Sequence, residues 1–515
     1  MRFTVHFVRR FRNSALGLLI VAVISAFGIQ ILPAAPAGAS VTVTGTGSSY
    51  AAVAINNWVG QVANLYGLSI NYQTSSSVYG LNDFKAGQVT FAASEIGYST
   101  QPTNKPPDGT YQYLPSVAGA TCLMYNVPSG THQPIQGLQL TPAILMGIFS
   151  GTITHWTDPA IVAANPGVDL PQGQSINFVY RTDPSGDNYI FSQYLQTLQP
   201  SAWGAFAAAF GYPNAPTSQW PAPQGGGGTG QYNFAGSSGV SGSDNASNAV
   251  AAQPYSITYV ETAYAILHGD QCAAIQNSSG AYVQPSSVGD AIALTHDALY
   301  PDLEQDLSGV FVAPEPAAYP ISAYSYLVTS VVGNPAQGAV LGKFISFLAC
   351  QGQVSAGQLG YSPIPPNLIA DDFAAIRRIP GAAPPPALNG QDCPNPYLTG
   401  AAQYVGGPIQ LSSGGGGGLA ANTAAAASAA AAAGVKQVSA ADAAAQLAKK
   451  NGGLFAAPGQ HLGVGLQAAA MSMLNLSGPT STIALLTLGF IAILAIPPVV
   501  GTVRRRHRIK KKSQL

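Results

Sequence analysis

The chain has 515 residues, enough for two or more domains, with 20 basic and 20 acidic side chains and a formal net charge of zero. Only 8% of residues are charged. There is thus no broad basic field to hold nucleic acid, and an anion site must be local, made of amides, hydroxyls and a single cation. At the N-terminus Arg2, Arg9, Arg10 and Arg12 precede an apolar run from about Ala15 to Leu32, and Ala37-Gly38-Ala39 fits a small-residue cleavage site. That pattern predicts a signal peptide over 1–39 and an exported mature chain starting near Ser40.

From 41 to about 373 short apolar strands alternate with amphipathic stretches, the pattern of an α/β fold. Gly45-Thr46-Gly47-Ser48-Ser49-Tyr50 opens an apolar-periodic segment to about Leu65, and Asn71-Tyr72-Gln73-Thr74-Ser75-Ser76-Ser77 opens a shorter one. Each places small hydroxyl residues at an expected helix N-cap, where hydroxyl and amide donors come together. Phe91-Ala92-Ala93-Ser94-Glu95 is a short strand ending in a carboxylate. Arg181-Thr182-Asp183-Pro184-Ser185-Gly186-Asp187 joins the apolar run Ile176–Tyr180 to a helical segment from Asn188 to Leu195. Strand, Gly/Ser turn and helix together aim free N–H groups and a positive helix end at an anion. Arg181 adds a planar fork of donors that Asp183 can hold in place.

Taken in order, these four segments resemble the phosphate-binding protein of bacterial ABC-type phosphate uptake systems, a periplasmic-binding-protein-like family. Gly147-Ile148-Phe149-Ser150-Gly151, Trp156-Thr157-Asp158-Pro159, Tyr259-Val260-Glu261 and Tyr361-Ser362-Pro363-Ile364-Pro365 extend the likeness over roughly 41–370. The resemblance implies a two-lobed type II α/β fold with ligand in the cleft, lobe I over 40–117 and 320–373 and lobe II over 118–319. It implies phosphate contacts from Ser49, Tyr50, Ser77, Glu95, Arg181, Ser185, Gly186 and Asp187, with Asp183 behind Arg181. It also implies inorganic phosphate as ligand and an ABC permease with its ATPase subunits as partners. Three positions depart from the family pattern: Glu95 where Asp is usual, Asp187 where Thr is common, and Pro184 in place of a turn glycine. Phosphate keeps a proton near neutral pH and sulfate keeps none, so a buried carboxylate facing the ligand accepts P–OH and repels sulfate. A receptor for another oxyanion such as molybdate or a phosphonate, or a surface protein using the cleft for sensing or adhesion, stays open as an alternative.

Enzyme motifs are missing. Ser185-Gly186 lacks the Gly-x-Ser-x-Gly elbow, no Gly-Lys-Ser/Thr loop occurs, and His155, His268 and His296 are isolated. No catalytic centre, cofactor or metal is therefore expected.

A Gly-rich stretch, Pro221 to Asn245, is expected as a superficial loop. The four cysteines, Cys122, Cys272, Cys350 and Cys393, suit disulfides in an exported chain. Three pairings are open, and Cys350 with Cys393 is preferred because it ties the last helix to the segment beyond it. Pro384-Pro385-Pro386, Gly414–Gly418 and the alanine run Ala424–Ala433 place a Pro/Gly/Ala-rich linker over 374–480. Residues 481–503, with the apolar run Ile483 to Val503, are long enough to span a bilayer. The basic tail over 504–515 then puts the C-terminus in the cytoplasm and the binding domain outside.

Overall fold

The computed structural model describes residues 41–223, 228–411, 431, 434–439 and 441–443. The expected signal peptide (1–39), membrane span (481–503) and cytoplasmic tail (504–515) lie outside the described residues. Among the described residues no helix is long and apolar enough to cross a membrane.

In chain order the principal elements are β1 (Thr42–Gly47), α1 (Ala52–Tyr66), β2 (Ser69–Thr74), α2 (Ser77–Lys85), β3 (Phe91–Ser94) and β4 (Tyr111–Asn126). They continue with β5 (Asn177–Arg181), α3 (Gly186–Leu198), β6 (Ser238–Val240), α4 (Ser243–Ala252), β7 (Ser256–Glu261) and α5 (Thr262–His268). The last are α6 (Ser287–Leu294), β8 (Ser322–Ser330), α7 (Pro335–Ala349) and α8 (Pro366–Ile376). Helix α1 shows how the sequence sets these elements. Ala54, Ile55, Trp58 and Val62 recur at helical spacing and are buried, and the helix ends at Gly67 in the left-handed region (φ 64°).

The strands hydrogen-bond in the order β2-β1-β3-β8-β4-β7-β5-β6, with Gln271–Cys272 also pairing with β4. The long strand β4 is the pivot. Its residues up to Ala120 pair antiparallel with β8, and from Thr121 to Asn126 they pair antiparallel with β7. One half of the sheet carries the parallel set β1, β2 and β3, and the other the parallel set β5, β6 and β7. The expected crossing at 117/118 falls at 120/121, within the same strand. This is the mixed α/β architecture expected from the alternation of strands and helices.

Three regions differ from expectation. The stretch 221–245 is not merely superficial: Tyr232 and Phe234 are buried, and Ser238–Val240 pairs in register with Val179–Arg181. Aromatic burial and a parallel ladder outweigh the glycine content. The segment 297–313, expected in the second lobe, bonds to the first, with Glu304 accepting from the Tyr113 hydroxyl (2.7 Å) and the Ser99 N–H (3.2 Å). The linker expected from 374 does not begin there. Helix α8 runs to Ile376, Tyr397 and Leu398 are buried, and Ile409–Gln410 pairs parallel with Ala298–Leu299. The Cys350–Cys393 disulfide fastens this extension to the end of α7, as preferred from the sequence, and Cys122–Cys272 joins β4 to the neighbouring strand.

Candidate functional site

The functional loops lie at the carboxyl ends of the parallel strands, where open α/β sheets hold ligands. Strand β1 ends at Gly47 and delivers Ser48 and Ser49, β2 delivers Ser76 and Ser77, and β3 delivers Glu95. From the other half, β5 delivers Arg181, Asp183, Ser185 and Gly186, and β6 delivers Gly242 and Ser243. Ser76 caps α2, accepting from the Tyr79 N–H at 3.3 Å, and Ser185 caps α3, accepting from the Asn188 N–H at 3.2 Å. Both helix starts thus have cap geometry.

Arg181 is completely buried. Its Nε donates to Asp183 Oδ1 at 2.7 Å and its Nη2 to Asp183 Oδ2, a bidentate pair. Its Nη1 donates to Asp187 Oδ2 at 2.6 Å, to the Ser243 hydroxyl at 2.9 Å and to the Ser49 hydroxyl at 3.1 Å. The Arg181 N–H donates to the Tyr259 hydroxyl at 3.1 Å, which in turn donates to Asn188 at 2.6 Å. Burial opposes the charge on Arg181, but the two carboxylates outweigh it and hold the guanidinium protonated. Burial likewise works against Asp183, whose hydrogen bonds and charge contact with Arg181 prevail and keep its carboxyl below the ordinary range. For Asp187 burial wins over Arg181 and raises the value. Asp187 Oδ1 is buried without a hydrogen-bond partner among the described residues.

Glu95 is the second centre. Three serine hydroxyls donate to it: Ser48 and Ser325 (2.8 Å) to Oε1, and Ser77 (2.7 Å) to Oε2. Burial, then the nearby charge of Asp187, push its carboxyl from 4.5 up to about 7, against the three hydroxyls that favour the charged form. The halves of the sheet meet here. The Gly186 N–H donates to the Ser77 hydroxyl at 3.0 Å, and the Ser49 and Ser243 hydroxyls lie 2.8 Å apart. A cleft with one cation, three carboxylates, clustered hydroxyls and two helix N-termini suits an oxyanion that still carries protons: donors meet its charged oxygens, and Glu95 and Asp187 can accept from its hydroxyls.

Of the residues expected from the sequence, Ser49, Ser77, Glu95, Arg181, Asp183, Gly186 and Asp187 come together. Ser185 lies among them, with its hydroxyl engaged in capping α3. Tyr50 is expected to supply its backbone amide, and it is only its side chain that points elsewhere. Its hydroxyl lies against Gly119 beside Glu261, and its carbonyl accepts from the Tyr361 hydroxyl at 2.6 Å, so only its backbone is near the cleft. Sequence reasoning missed Ser48, Ser243 and Ser325. Ser243 carries a readable signal, because a strand and Ser241-Gly242 open its helix as at the other two sites. Ser48 stands inside the Gly45–Tyr50 motif, directly before Ser49. Ser325 lies mid-strand, and nothing local marks it.

Fold and site together define a two-halved α/β binding protein with an oxyanion cleft at its strand ends. Residues 33–351 match the model of the PBP superfamily domain. The phosphate-binding protein PstS of Xylella fastidiosa is 30% identical over 338 residues, 65% of this chain and 85% of that protein. Phosphate-binding protein PstS 3 of Mycobacterium tuberculosis is 30% identical over 356 residues, 66% of this chain and 88% of that protein. A solved phosphate-binding protein from Stenotrophomonas maltophilia is 20% identical with a TM-score of 0.48, covering 65% of this chain and 93% of that one. The chain belongs to the PBP superfamily and, within it, to the family of PstS phosphate-binding proteins.

Proposed function

We propose that this protein binds inorganic phosphate between Ser49, Ser77, Glu95, Arg181, Ser185, Gly186 and Asp187, and delivers it to an ABC permease and its ATPase. The observation that carries the reading is the pairing of a doubly anchored Arg181 with Glu95 in one buried cleft. Arginine supplies fixed donors to phosphate oxygens, and a carboxylate held by three serines accepts P–OH. The names of the relatives agree with this ligand. The lobes that close on it comprise about 40–117 with 320–373, and 118–319, except that 297–313 packs on the first lobe beside Glu95.

The protein works outside the cytoplasmic membrane as a receptor, not a catalyst. The sequence supports export through the signal peptide over 1–39 and tethering through the apolar run 481–503, with the tail at 504–515 cytoplasmic. Calorimetry of the purified chain with phosphate, sulfate and molybdate tests the ligand. Phosphate binding with no sulfate competition is expected, and preference for molybdate would sink the reading. Topology is tested on intact protoplasts, where the folded domain is digested and a tag at Leu515 is protected. Cleavage of that tag from outside would reverse the orientation.

A further inference from the structure

Deepening the phosphate reading, on which it rests, we infer that Gln305 is the positioning residue for Glu95 and that the chain beyond the family domain holds Gln305 in place. The Gln305 side chain forms a clamp. Its Nε2 donates to the Glu95 carbonyl at 2.8 Å and to the Tyr324 carbonyl at 2.9 Å, while its Oε1 accepts from the Tyr324 N–H at 2.8 Å. The residue after Tyr324 is Ser325, whose hydroxyl donates to Glu95 Oε1 at 2.8 Å. One amide therefore fixes both the backbone that carries the carboxylate and the backbone that carries one of its donors. Beside it, Glu304 fills the space over Gly97, where a Cβ would lie 2.0 Å from Glu304 Cδ.

Gln305 belongs to a hairpin of two-residue strands, Ala298–Leu299 paired antiparallel with Gln305–Asp306. A hairpin so short is marginal by itself. The third strand comes from the extension: Ile409–Gln410 pairs parallel with Ala298–Leu299, through Ile409 N–H to the Asp297 carbonyl (2.8 Å) and Leu411 N–H to the Leu299 carbonyl (2.7 Å). The extension has its own anchors. Cys393 is bonded to Cys350, and Asn395 Nδ2 donates to the Ala349 and Ile364 carbonyls at 3.2 and 3.1 Å. The family-domain match ends at 351, and this support comes from residues beyond it. Because Glu95 is the group that separates protonated from unprotonated oxyanions, the extension tunes selectivity as well as affinity.

The full chain, Gln305→Ala and Ile409→Pro, which removes the N–H given to Asp297, are compared in two measurements. Phosphate affinity is measured with sulfate as competitor, and backbone hydrogen exchange of 94–99 is measured without phosphate. Both variants are expected to lose on the order of tenfold in phosphate affinity, to narrow the phosphate-over-sulfate preference, and to exchange faster at 94–99. A Gln305→Ala protein that melts earlier but keeps the phosphate-to-sulfate ratio would overturn the positioning role. Unchanged exchange at 94–99 in Ile409→Pro would overturn the contribution of the extension, whatever the ligand. A wild-type chain that binds no phosphate would sink the ligand reading alone, since the exchange result still decides whether Gln305 and the extension hold Glu95.

Discussion

The Ser77 hydroxyl donates to Glu95 Oε2 at 2.7 Å and accepts the Gly186 N–H at 3.0 Å, so one serine links the two halves of the sheet to the central carboxylate. The contact leaves no room for a side chain at Gly186. A Cβ there would lie 2.5 Å from Glu95 Oε2 and 2.7 Å from Ser77 Oγ. Gly186→Ala is therefore expected to hold the cleft partly open and weaken phosphate binding by on the order of tenfold or more, since overpacking costs about 1–3 kcal/mol. Calorimetry measures it, and wild-type affinity would show that the halves need not approach so closely.

Arg181→Ala is expected to remove phosphate binding, by about 2–5 kcal/mol. It also destabilises the fold. The buried carboxylates of Asp183 and Asp187 would lose their common partner, and breaking such a buried network costs about 3–5 kcal/mol. Affinity is measured below the melting transition. Binding within threefold of wild type would remove Arg181 from the site.

Glu95 makes a pH prediction. Its folded value, about 7, lies above its ordinary 4.5, so the proton is held more tightly in the fold than in the unfolded chain. The stability it contributes is present below about 4.5 and lost as pH rises through about 7. Asp187, also raised by burial, acts in the same sense, and Asp183, lowered, acts in the opposite sense at more acid pH. The ligand-free melting temperature should fall between pH about 5 and about 7.5, and Glu95→Gln should flatten that slope. A flat wild-type profile would contradict the shift.

The same carboxylates govern selectivity. Phosphate affinity is expected to rise as pH falls from 8 to 6, where the doubly protonated anion offers two donors, and sulfate, which offers none, is expected to gain only as Glu95 takes up its proton near 7. Glu95→Gln should admit sulfate, because an amide brings a donor and no charge. Asp187→Thr should flatten the pH dependence of affinity, and it also strips Arg181 of its 2.6 Å partner, so some loss of stability accompanies it. Competition titrations at the two pH values decide whether Asp187 faces the ligand or serves Arg181 alone.

Loss of the Cys350–Cys393 disulfide closes a separate question, how firmly the extension is held. Its sequence separation of 43 residues gives about 4 kcal/mol from loop entropy. Cys350→Ser with Cys393→Ser should lower the melting temperature and expose 377–411 to protease first. Even digestion across the chain would mean that the extension is secured by its packing.

The sequence by itself determined the local chemistry of this protein. The strand–turn–helix signals around Ser49, Ser77 and Arg181 depend on residues close together in the chain, since caps and glycine turns are short-range devices, and they are legible for that reason. Only the tertiary structure decided what met what. Ser325 reaches Glu95 across 230 positions and Ser243 reaches Ser49 across 194, through strand pairings that leave no local mark. The direction of the Tyr50 ring was set by packing against Gly119, and the fate of 377–411 by a disulfide and a two-residue ladder. Composition marks that stretch as linker because proline and glycine are the residues of turns and spacers. Tertiary contacts overrode them: Tyr397 and Leu398 found cover, and Ile409 found an unpaired strand edge.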